Sequence, residues 1–425
     1  MVEYSLVITI LLLPLQFALN VGENFDLATT RIFVPAVFLL WLVRGMARKK
    51  VWIPNKAEIW LAGAFLFLSL FSLFLGRDAD AGFRKLTYLF SIFPVLFVAA
   101  DVFREQKWEK RGAVAIVASG MIAAVVALAQ FFLPFAVGIG KAVKIWESLA
   151  PYFLGNSLGR LVAANSSWLV NIGGETRMRA FGFFPDPHNF SFFANLCLFF
   201  CLGYFFSRKR FSSKIWIGAV STLLVLAVFL SYSRGAYLGL IAGIVFFVSV
   251  TLKRSGILGK ALVICGVMAV LLFAFNSNIV SQRLASSFNL REGSNAERYK
   301  NWTQAVEIVR DHPLGGVGLG NYARAIDPSA EDRSSIYAHN LFLDIAAETG
   351  ILNSLAFFLL IIVSVWKNVK NGGALNLGIA AGLIGFSVHS IFDTPLWSPQ
   401  VMVLFLVVMA LGMSNVRTNA LSSRT

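Results

Sequence analysis

Histidine and arginine carry the chemistry that this sequence can offer. The four histidines are His188, His312, His339 and His389. Imidazole is the side chain that exchanges a proton near neutral pH, so each is a candidate general base. Arginines stand near them in the chain. Arg84, Arg177, Arg179 and Arg234 lie at ends of apolar runs, and Arg283, Arg291, Arg298 and Arg310 lie in the long polar stretch 276–338. One arginine at the end of an apolar run is ordinarily a lipid-headgroup contact. Several converging beside histidines on one face suggest more, because the fixed fork of guanidinium donors suits oxygen-rich anions. The pattern points to an anionic, phosphate-bearing substrate.

Other chemistries find less support. The run Leu314-Gly315-Gly316-Val317-Gly318-Leu319-Gly320-Asn321 lacks the Lys-Ser/Thr of a phosphate loop, and reads as a tight turn where backbone approaches another helix. No His/Cys cluster has zinc spacing. Asp78-Ala79-Asp80 can hold a divalent metal with a phosphate, or be a plain solvated loop.

These residues must be positioned by a membrane bundle. Of 425 residues, 57% are hydrophobic and only 14% charged, against roughly 25% charged in a soluble domain. That excludes disorder, and three cysteines exclude a disulfide scaffold. A bilayer core needs about 20 apolar residues per helix. Twelve stretches qualify: 4–22, 29–47, 57–75, 85–102, 112–133, 189–206, 215–232, 235–252, 256–275, 340–366, 374–392 and 396–414. In the second, Arg31 and Arg44 must snorkel. The first has Glu3 and no basic residue in its leader, which suits a retained span rather than a cleaved signal. All three cysteines fall inside spans, so no disulfide is implied.

With the N-terminus placed in the cytoplasm, the cytoplasmic loops hold 20 of the 37 basic and five of the 22 acidic residues. The whole excess of +15 then lies on one side, as the positive-inside rule expects. The charge thus sets topology rather than pointing to nucleic acid, and both termini are expected in the cytoplasm. The cytoplasmic loops are too short for a nucleotide-binding domain.

Two outer segments are long, 134–188 and 276–338. In the first, Ala142, Ile145, Trp146, Leu149 and Phe153 have helical spacing, as do Leu158, Leu161, Val162, Trp168, Leu169 and Ile172. They read as helices lying on the outer leaflet or as a helical cap packed on the bundle. In the second, Ser294-Asn295-Ala296-Glu297 has capping-box spacing and opens a helix ending near Arg310, before His312-Pro313. The spans are otherwise nearly free of charge, Asp344 and Glu348 lying near an outer helix end, which weighs against an ion-coupled transporter.

Three segments resemble the O-antigen ligase and polymerase superfamily. They are Ser231-Tyr232-Ser233-Arg234-Gly235-Ala236, then Glu297-Arg298-Tyr299-Lys300-Asn301-Trp302 leading into His312 through Asn321, then Ala338-His339-Asn340 leading through Leu343 to Glu348-Thr349-Gly350. Together they cover 215–366. Upstream, Arg179-Ala180-Phe181-Gly182 through His188-Asn189 resembles the arginine-containing approach to the preceding span. The resemblance implies a GT-C-like, all-α polytopic glycosyltransferase, metal-independent and without cofactor, in the bacterial inner membrane with a periplasmic active site. Its donor would be a glycan on undecaprenyl pyrophosphate, and its acceptor a lipid A–core sugar. In the polymerase branch the acceptor is another lipid-linked repeat, and related enzymes glycosylate pilins. The long segment before span six leaves the branch open. A lipid-linked-glycan flippase is the alternative from a different class.

The expected site follows. Arg179, Arg234 and Arg298 clamp the pyrophosphate, with Arg84 a possible addition. His339 is the general base, standing where the large outer segment turns into span ten, with a structural or helix-capping role as its rival. His188 is the reserve candidate. Nearby arginines are expected to keep the imidazole neutral. No metal ligands are assigned.

Overall fold

The computed structural model describes residues 1–22, 25–164, 167–254, 293–330 and 336–414. The protein is an all-α polytopic membrane protein, its helices interrupted only by two short hairpins among the described residues. Seven stretches are long and apolar enough to cross a membrane: Thr30–Ala47, Ala79–Val102, Gln106–Val137, Pro187–Ser207, Phe211–Leu230, Arg234–Thr251 and Ile351–Asn371. Four shorter apolar helices join them, Val2–Leu12, Ala57–Leu73, Ala374–His389 and Pro399–Ser414. Each expected span has its counterpart here except 256–275, which lies outside the described residues together with Cys265, Arg283 and Arg291. Cys197 and Cys201 are buried in Pro187–Ser207 and free of a disulfide.

The departures from expectation have local causes. The first span was expected to reach Gly22, but its helix stops at Leu12, just before Pro14, which cannot donate and disfavours helix in the residue before it. The chain then forms a hairpin, Ala18–Gly22 with Phe25–Ala28. The fourth span begins earlier, at Ala79, and breaks at Pro94 into Ala79–Ile92 and Val95–Val102. The run 158–172 is only partly helical. Helix Asn156–Ala164 is followed by a hairpin, Leu169–Ile172 with Glu175–Met178, turning at Gly173 and Gly174 with φ of 62° and 84°. Both values suit the turn that matches strand twist. Trp168, expected at the headgroup interface, is fully buried, stacks on Phe181 and donates to the Pro185 carbonyl at 2.9 Å. Helix Ile139–Leu154 packs Ala142, Trp146 and Phe153 inward and leaves Leu149 and Tyr152 exposed.

Span ten is two helices, Leu341–Thr349 and Ile351–Asn371. They meet at Gly350, whose φ is 90° and where a side chain would overlap the Leu314 carbonyl. The glycine run 315–320 approaches backbone as expected. Val317 and Gly318 donate to the carbonyls of Ala347 and Glu348 at 2.9 and 3.0 Å, and a side chain at Gly318 would overlap Gly76.

Two features position the site. Helices Pro187–Ser207, Arg234–Arg254 and Ala374–His389 approach through glycines: a Cβ on Gly203 would lie 2.9 Å from Gly378 Cα, and one on Gly239 2.5 Å from the Gly385 carbonyl. Close backbone approach replaces the missing hydrophobic drive between helices in lipid. Helix Pro399–Ser414 runs through the middle, with Phe405 stacked between Phe357 and Phe386. Charge pairs tie the helix ends expected in the cytoplasm: Arg44 with Glu3 and Asp101, and Lys367 with Glu58 at 2.6 Å. The ends carrying His188, His339 and His389 come together elsewhere, around Asp393.

Candidate active site

Asp393 stands between helix Ala374–His389 and the turn Pro395–Trp397 and is 7% exposed. His188 Nδ1 is 2.9 Å from its Oδ2, His339 Nδ1 3.5 Å from Oδ1, Arg298 Nη2 3.7 Å from Oδ2, and His389 Nε2 3.9 Å from Oδ2. Burial pushes this carboxyl up. The charges of His188 and Arg298 and the hydrogen bonds of His188 and His339 outweigh burial and hold it well below the usual carboxylate range. A buried anion therefore sits among three imidazoles and a guanidinium.

Each partner is fixed by its own element. His188 lies in the first turn of Pro187–Ser207, where Asp186 caps the backbone N–H groups of His188 and Asn189 at 2.8 Å, with Pro187 pre-set at the first position. Its Nδ1 is also 3.0 Å from Ser233 Oγ, just ahead of helix Arg234–Arg254. His389 is fully buried and stacks on Phe192 at 3.6 Å. A Cβ on Gly235 would come within 2.7 Å of the His389 ring, so the glycine of the Ser-Arg-Gly motif lets the helix start against the imidazole. Arg298 is carried by helix Gly293–Asp311, which is seated by buried Ala305 and by Trp302 against Phe392.

His339 has φ of 52° and Tyr232 φ of 50°. A left-handed conformation costs an L-residue about 1–2 kcal/mol, and such strain collects at functional sites when the surroundings impose it. The imidazole of His339 is 41% exposed, facing Asp393 through Nδ1. Burial pulls its pKa down, and Arg298 pulls the same way. The hydrogen bond and charge of Asp393 prevail, so the net shift is upward. Arg298 thus acts in the direction expected of the arginines, but Asp393 outweighs it.

The expected arginines separate. Arg298 is at the centre. Arg234, 8% exposed, begins the helix next to Ser233. Arg179 is one layer behind: its Nε donates to the Ser231 carbonyl at 2.8 Å and its Nη1 to the Ser167 carbonyl at 3.0 Å. It braces the turn that presents Ser233 and Arg234. Arg84 is exposed on Ala79–Ile92, outside the group. Arg177 pairs with Glu175 at 2.6 Å, and His312 is exposed.

Asp393 itself was not anticipated. One signal for it existed: it is the only formally charged residue between Lys370 and Arg417, four residues after His389. His188, His389 and Asp393 bring ligand atoms within 4.8 Å of one another, a donor set that divalent transition metals use. A cation there would share Oδ2 with Arg298.

Residues 219–358 match the family model described as O-Antigen ligase. The match contains Arg234, Arg298 and His339, whereas Arg179, His188, His389 and Asp393 lie outside it. No curated protein matches the chain. The segment that supplies the strained histidine and two of the arginines thus resembles the O-antigen ligase family, and the chain around it is a multi-pass membrane protein.

Proposed function

We propose that this protein moves a glycan from undecaprenyl pyrophosphate to a sugar hydroxyl of lipid A–core at the periplasmic face of the inner membrane, without metal. The observation that carries the reading is the pair His339–Asp393: an imidazole on strained backbone, facing a buried ionised carboxylate, with Arg298 beside it. Asp393 faces Nδ1, so Nε2 of His339 is the nitrogen left for substrate, and the carboxylate stabilises the imidazolium that forms.

His339 takes the proton of the acceptor hydroxyl. The freed oxygen attacks the anomeric carbon of the donor glycan, and the bond from that carbon to the pyrophosphate oxygen breaks. Negative charge grows on the departing lipid pyrophosphate, where Arg298 and Arg234 offer charge-assisted hydrogen bonds. Arg179 holds the turn that aims Arg234. The bond broken is already activated, so the step draws no energy from ATP.

Purified protein, undecaprenyl-pyrophosphate-linked O-antigen and lipid A–core with chelator present are the test. Ligated product is expected. Product only when a second lipid-linked repeat replaces lipid A–core assigns the polymerase branch. Movement of labelled donor across a bilayer with no new glycosidic bond overturns the reading.

A further inference from the structure

Asp344 is a buried carboxylate that the transfer chemistry above leaves unused. It lies in the first turn of helix Leu341–Thr349 and is 8% exposed. Its Oδ1 accepts the backbone N–H of Ala338 at 2.7 Å, and its Oδ2 accepts the hydroxyl of Thr394. Ala338 precedes His339 in the chain, and Thr394 follows Asp393. One side chain is therefore bonded to a neighbour of each member of the His339–Asp393 pair.

The pair needs such a brace. At 3.5 Å the contact between Nδ1 of His339 and Oδ1 of Asp393 is at the outer limit for a hydrogen bond, so a small shift between the two segments loses it. The left-handed backbone of His339 persists only if its surroundings impose it. A further tie between the segments is the Leu341 N–H to the Ser390 carbonyl, at 2.9 Å. It bonds neither Ala338 nor Thr394.

We propose that Asp344 is a positioning residue that sets the distance between His339 and Asp393, by holding the backbone ahead of the histidine and the residue after the aspartate on one carboxylate. This rests on the reading of His339 as the base. Asparagine in its place keeps both bonds: its amide oxygen accepts from Ala338, and its NH2 donates to the Thr394 hydroxyl. Alanine keeps neither.

The transfer assay above, run on folded variants, tests it. Asp344→Ala is expected to lower kcat by about tenfold or more, as a misplaced catalytic group does, with the acceptor KM within about threefold. Asp344→Asn is expected to recover most of that loss, and Thr394→Val, which cuts one arm, to fall between. Wild-type kcat in Asp344→Ala overturns the proposal. So does an Asp344→Asn as impaired as Asp344→Ala. If Asp344→Ala does not fold, Thr394→Val decides, and an unchanged kcat there overturns it.

A second readout needs no turnover. Diethyl pyrocarbonate modifies His339 at a rate that mass spectrometry can follow at that residue. Release from Asp393 in Asp344→Ala is expected to raise the rate several-fold, with Asp344→Asn restoring it. An unchanged rate overturns the positioning role even if the protein transfers no glycan, so failure here is distinct from failure of the proposed function.

Discussion

His339 is a stronger base than a free imidazole because Asp393 outweighs the burial and the guanidinium that oppose it. Its protonated form therefore persists to higher pH, and transfer should rise with pH along a limb centred above the ordinary 6.5. Asp393→Asn removes the hydrogen bond and the charge but leaves burial and Arg298 in place, so the limb should move to lower pH while the plateau rate falls. A profile of kcat/KM against pH reads both, and an unmoved limb removes Asp393 from the base's control. His339→Gln keeps a hydrogen-bonding side chain but cannot take the proton, and should lose about 10²–10⁴-fold in rate. Arg298→Ala and Arg234→Ala each remove charge-assisted bonds worth about 1.5–3 kcal/mol, hence roughly one to two orders of magnitude in rate, with lysine restoring only part. Steady-state kinetics at matched expression would show this. Residue type and place made His339, Arg298 and Arg234 candidates among several, and the family resemblance chose them from the rest. They did not show that Nε and Nη1 of Arg179 donate to the carbonyls of Ser231 and Ser167, because backbone partners leave no trace in spacing.

At the scale of elements, apolar length located the helices, and two kinds of detail escaped it. Breaks inside a span depend on what presses against the chain. Gly350 opens its break because the Leu314 carbonyl occupies the space a side chain would need, a long-range fact absent from the local sequence. Gly350→Ala should combine that overlap with backbone strain of about 1–3 kcal/mol and lower the thermal unfolding midpoint in detergent by several degrees, as scanning fluorimetry would show. An unchanged midpoint would mean that the loop at Leu314 can withdraw freely. Short alternating runs are the other detail. Leu169–Ile172 continues a helical-looking pattern, yet it pairs as a strand, and Gly173-Gly174 was the local sign of the turn. The glycine run 315–320 was legible as a close approach, since glycines so dense have few other uses.

The whole molecule gathers His188, His339 and His389 around Asp393, away from the helix ends that Arg44 and Lys367 tie to Glu3, Asp101 and Glu58. Positive charge on short loops orients a membrane chain. We therefore expect a cysteine at Ser294 to react with an impermeant maleimide once the outer membrane is breached, and one at Lys209 to react only after the inner membrane is breached too. The opposite order would invert the topology and remove the site from the periplasm. Helix Pro399–Ser414 is enclosed from Gln400 to Met413. A ribosome delivers it after every other described helix. Until then its place must stand as an apolar groove walled by Phe357 and Phe386. Close-packed interiors do not hold such a gap unchanged, so the nascent bundle should stay loose until its axis arrives. A translation product halted at residue 398 should accordingly be cut readily by protease, and one that extends through Ser414 should resist.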